Sequence, residues 1–144
     1  MIHIVGIDHL VLRVSDLDRM LDFYCGVLGC SVERRLDDIG LVQLRAGQHL
    51  IDLVPVDGVL GKSGGAAAGA GGRNLDHFCL RLEPFDADAI REFLQAKGIT
   101  VGAVDTRYGA EGDGPSLYLN DPEGNVVELK GPPYARSDMP AHSA

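Results

Sequence analysis

His9 and His77 stand in two copies of one short pattern, and each copy closes on a strand-like run that carries an acid. Residues 7–14 read IDHLVLRV and residues 75–82 read LDHFCLRL; residues 49–53 read HLIDL, with Asp52, and residues 125–129 read NVVEL, with Glu128. A histidine or carboxylate in an otherwise apolar strand is unfavourable unless it is paired or bound to a cation. Two neutral imidazoles and two carboxylates supply four ligands to a hard or borderline divalent ion. The pattern therefore points to one divalent metal ion (Ni, Zn, Co, Mn or Fe) held by His9, Asp52, His77 and Glu128. The alternative is four ordinary strand residues with Asp8 and Asp76 facing solvent. Their matched recurrence within a repeat weighs against it. His3, His49 and His142 have no such pattern and are not counted as ligands.

Successive strand residues alternate faces, so His9, Val11 and Arg13 share one face, as do His77, Cys79 and Arg81. Four strand residues span roughly 13 Å. Arg13 or Arg81 would thus reach the anionic end of a substrate whose reacting end sits on the metal; a salt-bridged surface arginine is the alternative. Tyr108, Ser116 and Tyr118 fall in or near RYGAEGDGPSLYL, where they would line a pocket mouth or pack as ordinary turn and strand residues.

The elements that must position these side chains repeat as well. After the first strand, Leu17, Met20, Leu21, Tyr24, Val27 and Leu28 recur at helical spacing, with Ser15 or Asp16 to cap and Gly29 to end the helix. After the second, Ala89, Ile90, Phe93 and Leu94 make the apolar stripe, with Asp86 as cap and Gly98 as stop. Each helix leads to a short strand and a hairpin: LVQLRAGQHLIDLVPV turns at Ala-Gly, and SLYLNDPEGNVVELKG turns at Asp121–Asn125. The order β, α, β, β, β occurs twice. Module one covers residues 5–56 and module two residues 75–131. Residues 57–74, DGVLGKSGGAAAGAGGRN, read as a flexible linker or a lid. Residues 132–144 read as a flexible tail.

Bulk properties narrow the partners. The formal net charge is -8, and no basic run marks a nucleic-acid or anionic-membrane surface, so the expected partner is a small molecule. MIHIVGIDHLVLRV reads as a strand rather than a signal peptide, and no run of about 18 apolar residues exists. The three cysteines form no C-x-x-C pair and suit reduced packing residues of a cytoplasmic protein.

IDHLVLRVSDLDRMLDFYCGVLG resembles the opening of the vicinal oxygen chelate superfamily (glyoxalase, bleomycin resistance, extradiol dioxygenase), and LYLNDPEGNVVEL resembles its closing signature. The resemblance covers residues 5–131, one vicinal oxygen chelate domain within residues 1–131. It implies an α+β fold: two tandem βαβββ modules forming a curved mixed sheet with flanking helices and a metal in the concave face. Modules of this family pair within one chain or across a homodimer; sheet edges that a partner can cover favour a homodimer here. The family pattern places its ligands on His9, His77 and Glu128, with a fourth position on Asp52, one methylene shorter than the usual Glu.

The leading expectation is a lactoylglutathione lyase-like metalloenzyme: a glyoxalase-type lyase or isomerase acting on a small carbonyl or hemithioacetal. The ion would stabilise an enediolate and Glu128 would take the proton, and Arg13 matches an arginine that glyoxalase I uses for its substrate. An extradiol-type Fe(II) dioxygenase using His9, His77 and Glu128 is the first alternative. A non-catalytic drug-binding or resistance protein is the second.

Overall fold

The structure, a computed structural model, describes residues 1–138; residues 139–144, the end of the expected tail and His142 with them, lie outside the described residues. The chain divides into two compact units, Met1–Asn74 with Pro122–Gly124, and Leu75–Asp121 with the residues from Asn125 onward. Each carries one four-stranded mixed sheet.

In the first unit β1 (His9–Val14) leads into α1 (Leu17–Leu21), which continues as a π-helical turn over Asp22–Val27. Asp16 caps this helix, its carboxylate accepting the Arg19 N–H at 3.1 Å. Gly29 follows it with φ 79°, a value that favours glycine. Then come β2 (Ser31–Leu36), β3 (Leu41–Ala46) and β4 (His49–Pro55). The sheet order is β1-β4-β3-β2, with β1 parallel to β4 and the other pairs antiparallel. Leu12, Val14, Val42, Leu44, Ile51 and Leu53 are buried with Met20, Phe23 and Tyr24 of the helix. Because strand residues alternate, Arg13, Gln43 and Asp52 are turned to the opposite face.

The second unit repeats the plan. β5 (Phe78–Arg81) precedes α2 (Ala87–Ala96), capped by Asp86, and then β6 (Asp105–Gly109), β7 (Gly112–Asn120) and β8 (Val126–Lys130). Its order is β5-β8-β7-β6, again with only the first pair parallel. Phe78, Leu94, Leu117, Leu119, Val127 and Leu129 form the core. Cys79, Arg81, Ser116, Tyr118, Glu128 and Lys130 alternate onto the other face. The turn between β7 and β8 is locked by Asp121, whose carboxylate accepts from both the backbone and side-chain N–H of Asn125. At its tip, Glu123 accepts the backbone N–H groups of Ser15 and Asp16 at 2.7 and 3.0 Å.

The Gly/Ala-rich segment 57–74 has more order than its composition suggests. It holds a 3-10 turn over Gly61–Gly64 and a Gly69–Gly72 bridge. Its fixed points come from β1: Arg13 donates to the carbonyls of Gly61, Gly65 and Ala66, and Asn74 donates to the Arg13 carbonyl. Part of the tail is tied back as well, Tyr134 N–H donating to the Asp113 carbonyl at 2.8 Å. Among the described residues no helix is long and apolar enough to cross a membrane.

Candidate metal centre

Asp52 lies in the middle of β4, between Val11 of β1 and Gln43 of β3, and is 4% exposed. Gln43 Nε2 donates to its Oδ2 at 3.0 Å, while Oδ1 is buried with no hydrogen-bond partner. His9 opens β1, two register positions back from Asp52. Its Nδ1 lies 2.6 Å from Asp8 Oδ1, and this bond, helped by the nearby Asp52 charge, raises the imidazole pKa.

Glu128 takes the same place in the second unit, mid-strand in β8 between Cys79 and Tyr118, and is 6% exposed. The Ser116 hydroxyl donates to its Oε1. Its Oε2 lies 3.3 Å from His77 Nε2. His77 Nδ1 sits 2.6 Å from Asp76 Oδ1, and the Tyr118 ring packs edge-on against the imidazole at 5.7 Å.

The two histidines are not buried mid-strand residues. His9 is the first residue of its strand and His77 immediately precedes β5, with side chains 45% and 38% exposed. Pairing with the central strand begins only at His9–Leu50 and Phe78–Val127, which leaves both imidazoles at the sheet rim. Asp8 and Asp76 are themselves solvent-exposed, yet each also holds the Nδ1 of the histidine that follows it. Where Nδ1 donates to the carboxylate, Nε2 carries the lone pair, an arrangement typical of metal-ligating histidine. Among the described residues no group of three or more His, Cys, Asp or Glu side chains is gathered to hold a metal; of the expected ligands, His77 and Glu128 lie within 3.3 Å of each other.

The other expected site residues divide. Arg81 and Tyr108 line a cavity of about 370 Å³ in the second unit, together with His77, Cys79, Glu128 and Lys130. Tyr108 is 82% exposed, whereas Tyr118 acts on His77 by ring packing. Arg13 commits its Nη atoms to the 57–74 segment, and its Nε is buried without a partner. Ser116, which the sequence offers either to a pocket mouth or to ordinary strand packing, is fully buried against Glu128. Asp8, Asp76, Gln43 and Lys130 were missed as site residues. The repeated Asp-His doublet was the available signal for the first two; Gln43 and Lys130 had none, because only strand register brings them to the carboxylates. Cys25, Cys30 and Cys79 are all free thiols, and burial pushes Cys30 up to about 11.

A family model described as the Glyoxalase/Bleomycin resistance protein/Dioxygenase superfamily matches residues 6–129. The chain belongs to that superfamily. Among its relatives there, a virulence protein of Salmonella typhimurium is 33% identical over 130 residues, 85% of this chain and 81% of the relative. The crystal structure of that protein superposes with a TM-score of 0.75 at 26% identity, covering 91% of this chain and 99% of the other. A glyoxalase domain-containing protein of Mycosarcoma maydis is 34% identical over 126 residues; the match spans 86% of this chain and 66% of that one. A superfamily structure whose activity is named, the lactoylglutathione lyase of Agrobacterium tumefaciens, superposes with a TM-score of 0.64 at 25% identity, covering 88% and 93% of the two chains.

Proposed function

We propose that this chain is a metal-dependent lyase or isomerase of glyoxalase type, acting on a small carbonyl or hemithioacetal substrate. The observation that carries the reading is Asp52 Oδ1, a buried carboxylate oxygen with no hydrogen-bond partner. Leaving such an atom unsatisfied costs on the order of 1–3 kcal/mol or more, and a cation removes that cost. The donor set fits one: Asp52 and Glu128 provide oxygens, His9 and His77 provide Nε2, and a neutral first coordination shell suits Ni, Zn, Co, Mn or Fe in the divalent state. A full set takes both pairs, from one chain or from two copies in a homodimer. When bound, the ion would polarise the substrate oxygens and stabilise the charge that develops on them.

The protein's own residues do the rest. Glu128 accepts the proton next to the carbonyl when its Oε2 is not given to the ion. The Ser116 hydroxyl holds Oε1, so that Oε2, on the His77 side, is the oxygen left to act. Asp8 and Asp76 keep the imidazoles in one tautomer and orientation. Arg81 lines the cavity that Glu128 also lines, and Arg13 does not, so we assign the holding of an anionic substrate end to Arg81, whose guanidinium is shared with its carboxylate neighbours Glu111 and Glu83, rather than to Arg13. A fourth protein ligand, Asp52, leaves less room for the joint binding of a catechol and oxygen, which favours the lyase over the dioxygenase.

The deciding experiment reconstitutes metal-stripped protein with Ni²⁺, Co²⁺, Zn²⁺, Mn²⁺ or Fe²⁺ and assays hemithioacetals beside catechols. Turnover of a hemithioacetal that is lost in Glu128→Gln at unchanged metal content supports the reading. Fe²⁺-dependent oxygen uptake with a catechol shows a dioxygenase. Tight binding of a drug-like ligand by protein that never acquires metal shows a binding protein.

A further inference from the structure

Lys130 ends β8 on the same face as Glu128, two residues on, yet it is only 7% exposed. An ammonium has three protons to donate, and taking it out of water costs several kcal/mol unless it is paired. Lys130 Nζ donates one of them to the Arg107 carbonyl at 2.7 Å, and it has no ion-pair partner among the described residues.

Its surroundings are built to its shape. A Cβ added at Gly109 would meet Lys130 Cε at 2.6 Å, and one at Gly114 would meet Nζ at 2.8 Å. Gly109 and Gly114 thus leave room for the Lys130 side chain, which at Gly114 shares the space with the Pro132 carbonyl at 2.7 Å. Across the parallel β5–β8 ladder its register partner is Arg81. Two cations directly opposite each other repel. Arg81 is already answered by Glu111 at 2.6 Å and Glu83 at 3.4 Å. Glu128 faces His77. Of the charged groups lining the cavity, Lys130 is the one left over.

We propose that this cavity is an oxyanion subsite in which Lys130, beside Arg81, holds the carboxylate or phosphate of a compact substrate whose reacting carbon lies at Glu128. The second half of this statement rests on the catalytic reading of Glu128 above; the first half does not. Two strand residues separate the centres by roughly 7 Å, so the anion and the reacting carbon belong to one short molecule. A cavity of about 370 Å³ lies at the small end of ligand sites, which run from roughly 300 to 1,000 Å³. The substrate class is thus a small α-functional carbonyl acid or phosphate, or a compact hemithioacetal formed on one.

The test separates the subsite from the reaction by using metal-stripped protein. Inorganic phosphate and malonate are titrated calorimetrically into the wild type, Lys130→Met, Gly109→Ala and Arg81→Ala. Lys130→Met keeps the side-chain length and removes the charge. Gly109→Ala keeps the charge and displaces it, so one variant remains informative if the other fails to fold by circular dichroism. Binding to the wild type that weakens on the order of ten-fold or more in Lys130→Met, or in Gly109→Ala where Lys130→Met does not fold, supports the subsite. Phosphate bound without malonate marks a phosphate-bearing substrate, and the reverse a carboxylate. No heat with either anion at tens of millimolar, equal affinity in Lys130→Met and wild type, or binding lost only in Arg81→Ala overturns it. Failure of the glyoxalase assays leaves this result standing, and loss of anion binding leaves metal binding and turnover to be judged separately.

Discussion

His77 Nε2 lies 3.3 Å from Glu128 Oε2, while the other ring nitrogen of His77 is held by Asp76 at 2.6 Å. Glu128 belongs to β8 and His77 immediately precedes β5, and they meet because β5 runs parallel to β8 in the register that sets Phe78 beside Val127. One imidazole nitrogen and one buried carboxylate oxygen thus meet on one face of the second sheet. Asp52 and His9 stand at the equivalent places of the other unit.

Metal content is the first consequence. Purified protein should carry about one divalent ion per set of four ligands. His77→Ala should lose most of it, and a His9→Ala/His77→Ala double variant all of it, by elemental analysis against protein concentration. Asp52→Ala should weaken binding less, since Gln43 already holds one of its oxygens. Stoichiometric metal in the double variant would sink the assignment.

Asp76→Asn tests the orientation of the imidazole without touching a ligand. Removing a carboxylate partner of a ligating histidine typically lowers metal affinity about 10–100-fold. A chelator competition titration should show a loss in that range, and an unchanged affinity would reduce Asp76 to a surface residue.

Ser116→Ala removes a buried hydroxyl that donates to Glu128. A hydrogen bond to a charged group contributes about 1.5–3 kcal/mol. The variant should lose about that much stability in urea denaturation of metal-free protein. In the loaded enzyme kcat should fall more than KM rises, because the group affected is the proposed base.

Arg13→Ala should free the 57–74 segment, whose Gly61, Gly65 and Ala66 carbonyls that side chain now holds. Exposed Lys62 gives the readout, as limited trypsin treatment should cut after it faster in the variant than in the wild type. Equal cleavage rates would show that the segment is held by something else.

Cys30 should react slowly with iodoacetamide near neutral pH. Burial, and then the neighbouring Cys25, push its thiol up to about 11, so roughly one molecule in a thousand carries the reactive thiolate at pH 8. Alkylation followed by mass spectrometry should accelerate about ten-fold per pH unit below that value. Rapid labelling at pH 7 would contradict this.

Much of this protein is legible one residue at a time. The duplicated Asp-His strand, the helix caps at Asp16 and Asp86, the glycine stops at Gly29 and Gly98 and the acid in each closing strand are local signals, set by periodicity and backbone geometry. They determine the βαβββ order and the identity of four candidate ligands. What a side chain meets across a sheet depends on register, which is a property of two distant segments at once. Only the tertiary structure could bring Gln43 to Asp52, Ser116 to Glu128, and Arg81 beside Lys130. It also decided Arg13: the alternation of β1 gave its face correctly, but the glycine-rich segment that folds back onto it, and takes up its donors, left no trace in the local pattern, because glycine carries no side chain to announce a partner.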